Sequence, residues 1–216
     1  MTTNPYPSRP YPVGVLKYPL PNGDDTNENI EAIRPYCLLE HGEPELLYSI
    51  PHILKQGGDY LNLGHGAGGS AMLLAQGLID ADLRGRVHSI DHFKMKTEDR
   101  VWGFQEAQKV IDDFNLSSMI TLWKGYTSDF VDVQGHPATT FGFYDLTFLF
   151  IDADHSYDGV RHDFVYYGCR VKKGGAVAFH DTNQEPSHRV ISEYIEGYAH
   201  WQLIEHVNRI KVFQRV

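Results

Sequence analysis

Leu146-Thr147-Phe148-Leu149-Phe150-Ile151 is an almost unbroken apolar run that ends abruptly in Asp152-Ala153-Asp154-His155. A strand with one wet face alternates apolar and polar side chains. A continuous run is buried on both faces, as a parallel strand is between two layers of helices. The run therefore predicts an open α/β sheet. Ligands of such sheets bind just beyond the carboxyl ends of the strands. Two acids and a histidine fall at that place, where stability alone has no use for them.

The rest of the chain alternates accordingly. Strands are expected over residues 60–63, 86–91, 120–123, 145–151 and 176–179. Helices are expected over 71–83, 102–114, 157–172 and 193–198, the third stopped by Gly174-Gly175 in a left-handed exit. This alternation implies a doubly wound, Rossmann-like sheet with helices on both faces. The ending differs. Residues 201–207 and 210–216 are both strand-like, and only Asn208-Arg209 separates them. Two residues cannot hold a helical crossover, so the pair is a hairpin, and the last strand runs against a mostly parallel sheet.

Two regions are expected. Residues 1–43 form an arm and cap, in which Pro5, Pro7, Pro10, Pro12, Pro19 and Pro21 forbid a continuous helix before one begins near Asn27. Residues 44–216 form the main domain, opening on a helix with Pro44 in its first turn. The tyrosine-bearing arm reads either as a loose tail or as a strap over a pocket or a second subunit, so a homodimer is an open expectation. A net charge of -9 with no basic run speaks against nucleic acid or an anionic membrane as partner. No apolar stretch approaches the roughly 18 residues of a membrane span, and the N-terminus lacks a signal-peptide pattern. Cys37 and Cys169 are too few for a disulfide framework. A reducing cytoplasm is the expected location, and Cys169 is expected as a small buried residue.

Gly64-His65-Gly66-Ala67-Gly68-Gly69-Ser70 follows the first strand and opens a helix. Glycines let the backbone turn sharply and lie against a ligand, and the helix N-terminus offers unpaired N–H groups. Ser70 is placed to cap that helix or to bond a carboxylate. Asp91, at the end of the next strand, is placed to accept from ribose hydroxyls. The candidate cofactor residues are Asn62, Gly64, His65, Gly66, Gly69, Ser70, Asp91, His92, Asp152 and, after the third strand, Tyr126. The same geometry serves a dinucleotide or S-adenosylmethionine. An NAD-type oxidoreductase, a methyltransferase and a non-catalytic nucleotide-binding module all remain open at this point.

Asp152 and Asp181 end adjacent expected strands, so their carboxylates are able to converge on one hard cation such as Mg²⁺ or Mn²⁺, with Asp154 as a third candidate. His155 falls over the same pocket and is the candidate base. Asp154 or Ser156 also suits a helix cap. Asp158, His162 and Asp163 read as solvated helix positions, and His180 as facing away from the pocket.

The strings Phe150-Ile151-Asp152-Ala153-Asp154-His155-Ser156-Tyr157-Asp158-Gly159-Val160, Lys173-Gly174-Gly175 and Phe179-His180-Asp181-Thr182 resemble the class I S-adenosylmethionine-dependent methyltransferases. The nearest branch contains macrocin-type and other sugar O-methyltransferases and proteins labelled cephalosporin hydroxylase. The resemblance covers roughly residues 58 to 216, and the reversed final strand agrees with it. It implies S-adenosylmethionine as cofactor and O-methylation of a small-molecule hydroxyl, of sugar or natural-product type. By the same resemblance Gly64, Gly66 and Ser70 match the cofactor loop and Asp91 the ribose acid. Asp152 and Asp181 match the metal aspartates, and His155 matches the base. Asn62 stands where an acid is more usual. Thr182 stands where metal-dependent relatives carry a further Asp or Asn, which puts the metal in question.

Overall fold

Three strand ends lie level at the centre of the molecule, and the site follows from that. In this computed structural model, residues 27–40, 42–96, 101–131 and 145–216 are described. The proline-rich arm before Asn27 lies outside them.

Helix α1 (Glu28–Ile33) begins at Asn27, whose side chain accepts from the Asn29 and Ile30 amides. A short 3₁₀ turn (Arg34–Tyr36) leads to α2 (Glu43–Leu54), with Pro44 in its first turn as expected. The alternation then runs β1 (Gly58–Leu63), α3 (Gly69–Asp80) and β2 (Gly85–Asp91). A small ladder of β3 (Met95–Lys96) and β4 (Val101–Trp102) precedes α4 (Phe104–Asp113) and β5 (Ile120–Lys124). After it come β6 (Leu146–Ile151), α5 (Tyr157–Tyr167), β7 (Val171–Phe179), α6 (Glu185–Tyr194), β8 (Trp201–Val207) and β9 (Ile210–Arg215).

The seven-stranded sheet has the order β5-β2-β1-β6-β7-β9-β8, with β9 antiparallel to both neighbours. This is the mostly parallel sheet with a reversed last strand that the two-residue gap required. Every residue of β6 is buried. Phe148 and Phe150 pack into the layer of α2 and α3, whereas Leu149 and Ile151 pack with Phe164 of α5 and Val190 of α6. Opposite faces of one strand thus meet opposite helix layers. Among the described residues, no helix is long and apolar enough to cross a membrane.

Five expectations are corrected. The helix expected to reach residue 172 ends at Tyr167, and Gly174-Gly175 lies inside β7. Gly174 has φ +81° and the β6–β7 register shifts there, so the pair bulges a strand rather than ending a helix. Helix α6 starts at Glu185, well before residue 193, because Val190 and Ile191 supply a short buried face within a polar segment. Trp102 belongs to β4, not to α4. Cys169 is exposed rather than buried, and Asp163 is fully buried rather than solvated.

Candidate active site

Leu63 pairs with Ile151, and Ile151 with Phe179. Gly64, Asp152 and His180 therefore leave the sheet side by side. Gly64 has φ +90°, and a Cβ there would fall 2.0 Å from the Asp152 carbonyl oxygen. Only glycine lets the loop lie against Asp152. Asn62 is buried beneath this loop. Its Nδ2 donates to the Gly64 carbonyl and the Ser89 hydroxyl, both at 2.8 Å. It props the loop and does not reach the cavity wall.

Asp91 binds the loop from the other side. Its Oδ2 accepts from the amides of His65 (2.8 Å) and Gly66 (3.1 Å), and Oδ1 from the amide of Phe93 (2.6 Å). His92 Nδ1 also lies 3.2 Å from Oδ1, and a carboxylate oxygen has a second lone pair with which to meet a ribose hydroxyl. The His65 ring is buried against Phe93, its Nδ1 2.9 Å from the Ser89 hydroxyl. Burial pushes its pKa down to about 4. Ser70 does not cap α3. The N-cap is Gly68 at φ +103°, which brings no side-chain bond, and Ser70 sits in the first turn. The first-turn amides are thus left to a ligand. A Cβ on Gly69 would lie 2.5 Å from Cys37 Sγ, so that glycine lets the cap segment cross the helix start.

Opposite the loop lies a charged cluster. His155 Nδ1 is 2.7 Å from Asp181 Oδ2. A carboxylate at that distance places the ring proton on Nδ1 and leaves Nε2 as the accepting nitrogen. Asp181 itself has φ +51°. Its other oxygen, Oδ1, accepts from Arg209 Nη1 at 3.0 Å. His180 faces the cluster, not away from it. Its Nδ1 is 3.0 Å from Asp152 Oδ1 and its Nε2 is 3.2 Å from Glu43 Oε2. Burial works against charging this ring, but the Asp152 and Glu43 carboxylates prevail and raise its pKa to about 10. Burial likewise opposes the Glu43 charge. The His180 bond and the Glu40 and Arg209 amides nevertheless hold that carboxyl below its ordinary value.

One cavity of about 500 Å³ joins the two sides. Its wall includes Gly64, His65, Gly66, Gly69, Ser70, Asp91 and His92 from the loop side, and Asp152, His155 and Asp181 from the acid side. The volume suits a cofactor-sized ligand. Tyr126 stays outside it, exposed and edge-on to the His92 ring at 5.5 Å. Sequence reasoning missed Arg209, His180 and the roof of Tyr36, Leu38 and Leu39. No local motif marks Arg209; its one signal is membership of the two-residue hairpin turn.

The residues do not fit the divalent cation expected between Asp152 and Asp181. Hard cations need several carboxylate or carbonyl oxygens with free acceptor directions. Each Asp181 oxygen already faces a donor of the chain, His155 Nδ1 at 2.7 Å and Arg209 Nη1 at 3.0 Å, and His180 Nδ1 lies 3.0 Å from Asp152 Oδ1. Asp154 accepts from the Ser156 amide at 2.8 Å, and Ser156 caps α5 through Gly159. Among the described residues no group of three His, Cys, Asp or Glu is arranged to hold a metal. The two carboxylates do converge as expected, but on cations of the chain itself.

Known proteins place this arrangement. The O-methyltransferase NovP superposes with a TM-score of 0.63 at 19% identity, over 86% of this chain and 78% of its own. An O-methyltransferase from Bacillus cereus, in complex with SAH, gives 0.62 at 16%, over 88% and 92%. Cofactor-bound Rv0187 from MTB gives 0.64 at 14%, over 89% and 91%. These likenesses concern the fold. No curated protein is detectably similar in sequence. The family model described as a methyltransferase domain matches residues 61–182, more than half of the chain, from the strand before the glycine loop to Thr182. The chain therefore belongs to the methyltransferase-domain family and is a class I S-adenosylmethionine-dependent methyltransferase, as its motifs implied.

Proposed function

We propose that the chain methylates a hydroxyl oxygen of a small-molecule acceptor, of sugar or natural-product type. The observation that carries this reading is the His155–Asp181 pair, set across one cavity from the glycine loop. Bound S-adenosylmethionine would supply a methyl carbon made electrophilic by its sulfonium. The loop residues 64–70 would bind it through bare backbone and the uncapped start of α3, with Asp91 Oδ1 toward a ribose hydroxyl. That the Bacillus cereus O-methyltransferase was solved with SAH supports the choice of cofactor.

His155 takes the acceptor's hydroxyl proton at Nε2 while the oxygen forms its bond to the methyl carbon. The bound sulfonium would leave as the neutral thioether, keeping the electron pair of its bond to that carbon. Asp181 holds the ring in the competent tautomer and stabilises the imidazolium that results. Much of the remaining acceleration is positioning, which the roof of Tyr36, Leu38 and Leu39 assists by enclosing the site. Divalent-metal assistance is not part of this reading, because among the described residues no third ligand joins the two aspartates, which face His155, His180 and Arg209 instead.

Calorimetry with S-adenosylhomocysteine and with NAD⁺ tests the cofactor side; binding of NAD⁺ alone would move the chain to the oxidoreductases. Labelled methyl transfer to a panel of sugar and phenolic hydroxyl compounds tests the acceptor side. Methylation confined to nitrogen or carbon acceptors would refute the O-methyl reading.

A further inference from the structure

We propose that Arg209 stands in for the divalent cation, so that this methyltransferase works with a resident guanidinium where metal-dependent relatives are expected to place an ion. The inference rests on the methyl-transfer reading only for the role of His155.

Three observations carry it. First, a guanidinium stays charged at any working pH, and Arg209 donates to Asp181 Oδ1 at 3.0 Å. The carboxylate that would ligate a metal is thereby satisfied by the chain. Second, the His180 ring occupies the gap between the two aspartates, its Nδ1 3.0 Å from Asp152 Oδ1 and 3.5 Å from Asp181 Oδ1. An ion bridging them would have to displace that ring.

Third, Arg209 is anchored rather than swinging from the surface. Its amide donates to the buried Glu43 at 3.0 Å, and its Nε lies 3.6 Å from the same Oε1. Its carbonyl accepts from both the amide and the hydroxyl of Thr182, each at 3.0 Å. Thr182 is the position where an additional acid or Asn was expected, and here it fixes the backbone of the arginine. The departure at 182 and the cation at 209 are thus parts of one device. Arg209 is a positioning residue. It holds Asp181, and Asp181 holds the base.

Mn²⁺ itself is the probe, read by its paramagnetic resonance signal and by calorimetry on the full chain, without turnover. The wild type is expected to bind no stoichiometric Mn²⁺ up to millimolar concentration. Arg209→Ala removes the repelling charge and is expected to bind one ion at least about tenfold more tightly than the wild type. Arg209→Lys keeps the charge and is expected to resemble the wild type. A single Mn²⁺ bound by the wild type and lost in Asp181→Asn overturns the proposal. So does a folded Arg209→Ala that gains no affinity. Should Arg209→Ala fail to melt cooperatively, the wild-type and Asp181→Asn titrations decide alone. Failure of S-adenosylhomocysteine to bind would strike the functional reading and leave the Mn²⁺ result intact.

Discussion

The Nε2 atom of His155 is the single acceptor on which the proposed chemistry turns. His155→Ala is expected to lower turnover roughly a hundredfold or more while S-adenosylhomocysteine affinity stays unchanged. Single-turnover assays beside calorimetry check this, and a fully active variant would make the residue structural. His65 makes a different prediction. Its native pKa of about 4 lies below the ordinary 6.5, so between those values the unfolded chain binds more protons than the folded one. The stability this ring contributes is complete above about pH 6.5 and is lost as pH falls toward 4. The loss is on the order of 3 kcal/mol. Denaturant unfolding of wild type and His65→Asn, at about pH 7 and about pH 4.5, should show a weaker pH dependence in the variant.

At the scale of elements, α2 must lie close on α3, because α2 carries Glu43, the anchor of both His180 and Arg209. Gly77 of α3 permits that approach. A Cβ there would fall 2.2 Å from the Tyr48 carbonyl oxygen. Gly77→Ala is expected to cost roughly 1–3 kcal/mol by overpacking, less what alanine returns in helix propensity. Denaturant unfolding measures it, and an unchanged midpoint would show that the two helices slide apart freely. Elements with strong periodicity or unambiguous breakers were legible in the sequence: β6, the glycine loop, the hairpin and the Pro44 start of α2. Helix α6 was not, since its buried face is a few residues among polar ones. The start of β7 was not either, since two glycines in a strand look like a helix exit until the pairing with β6 is known.

The whole molecule depends on its reversed last strand for both core and site. Ile210, Val212 and Phe213 are buried, and β9 covers β7. A chain ending after Tyr198 would lose roughly 1.5–3 kcal/mol for each of those side chains and bare the edge of β7. It is expected to show no cooperative thermal transition by circular dichroism; a sharp melt would mean the hairpin is an accessory. The sequence by itself determined the fold class, the reversed final strand and the level of the sheet at which the site lies. Hydrophobic runs, breakers and two-residue gaps are local, and local patterning dictates burial and chain direction. Only the tertiary structure decided what the acids meet. Pairing of Phe179 with Lys211 brings the turn before β9 beside Asp181, and the packing of α2 brings Glu43 against Arg209, 166 residues away in sequence. Strand register and helix packing are long-range outcomes of core packing, so no local pattern announces that the His180 ring and the Arg209 guanidinium will meet the two aspartates.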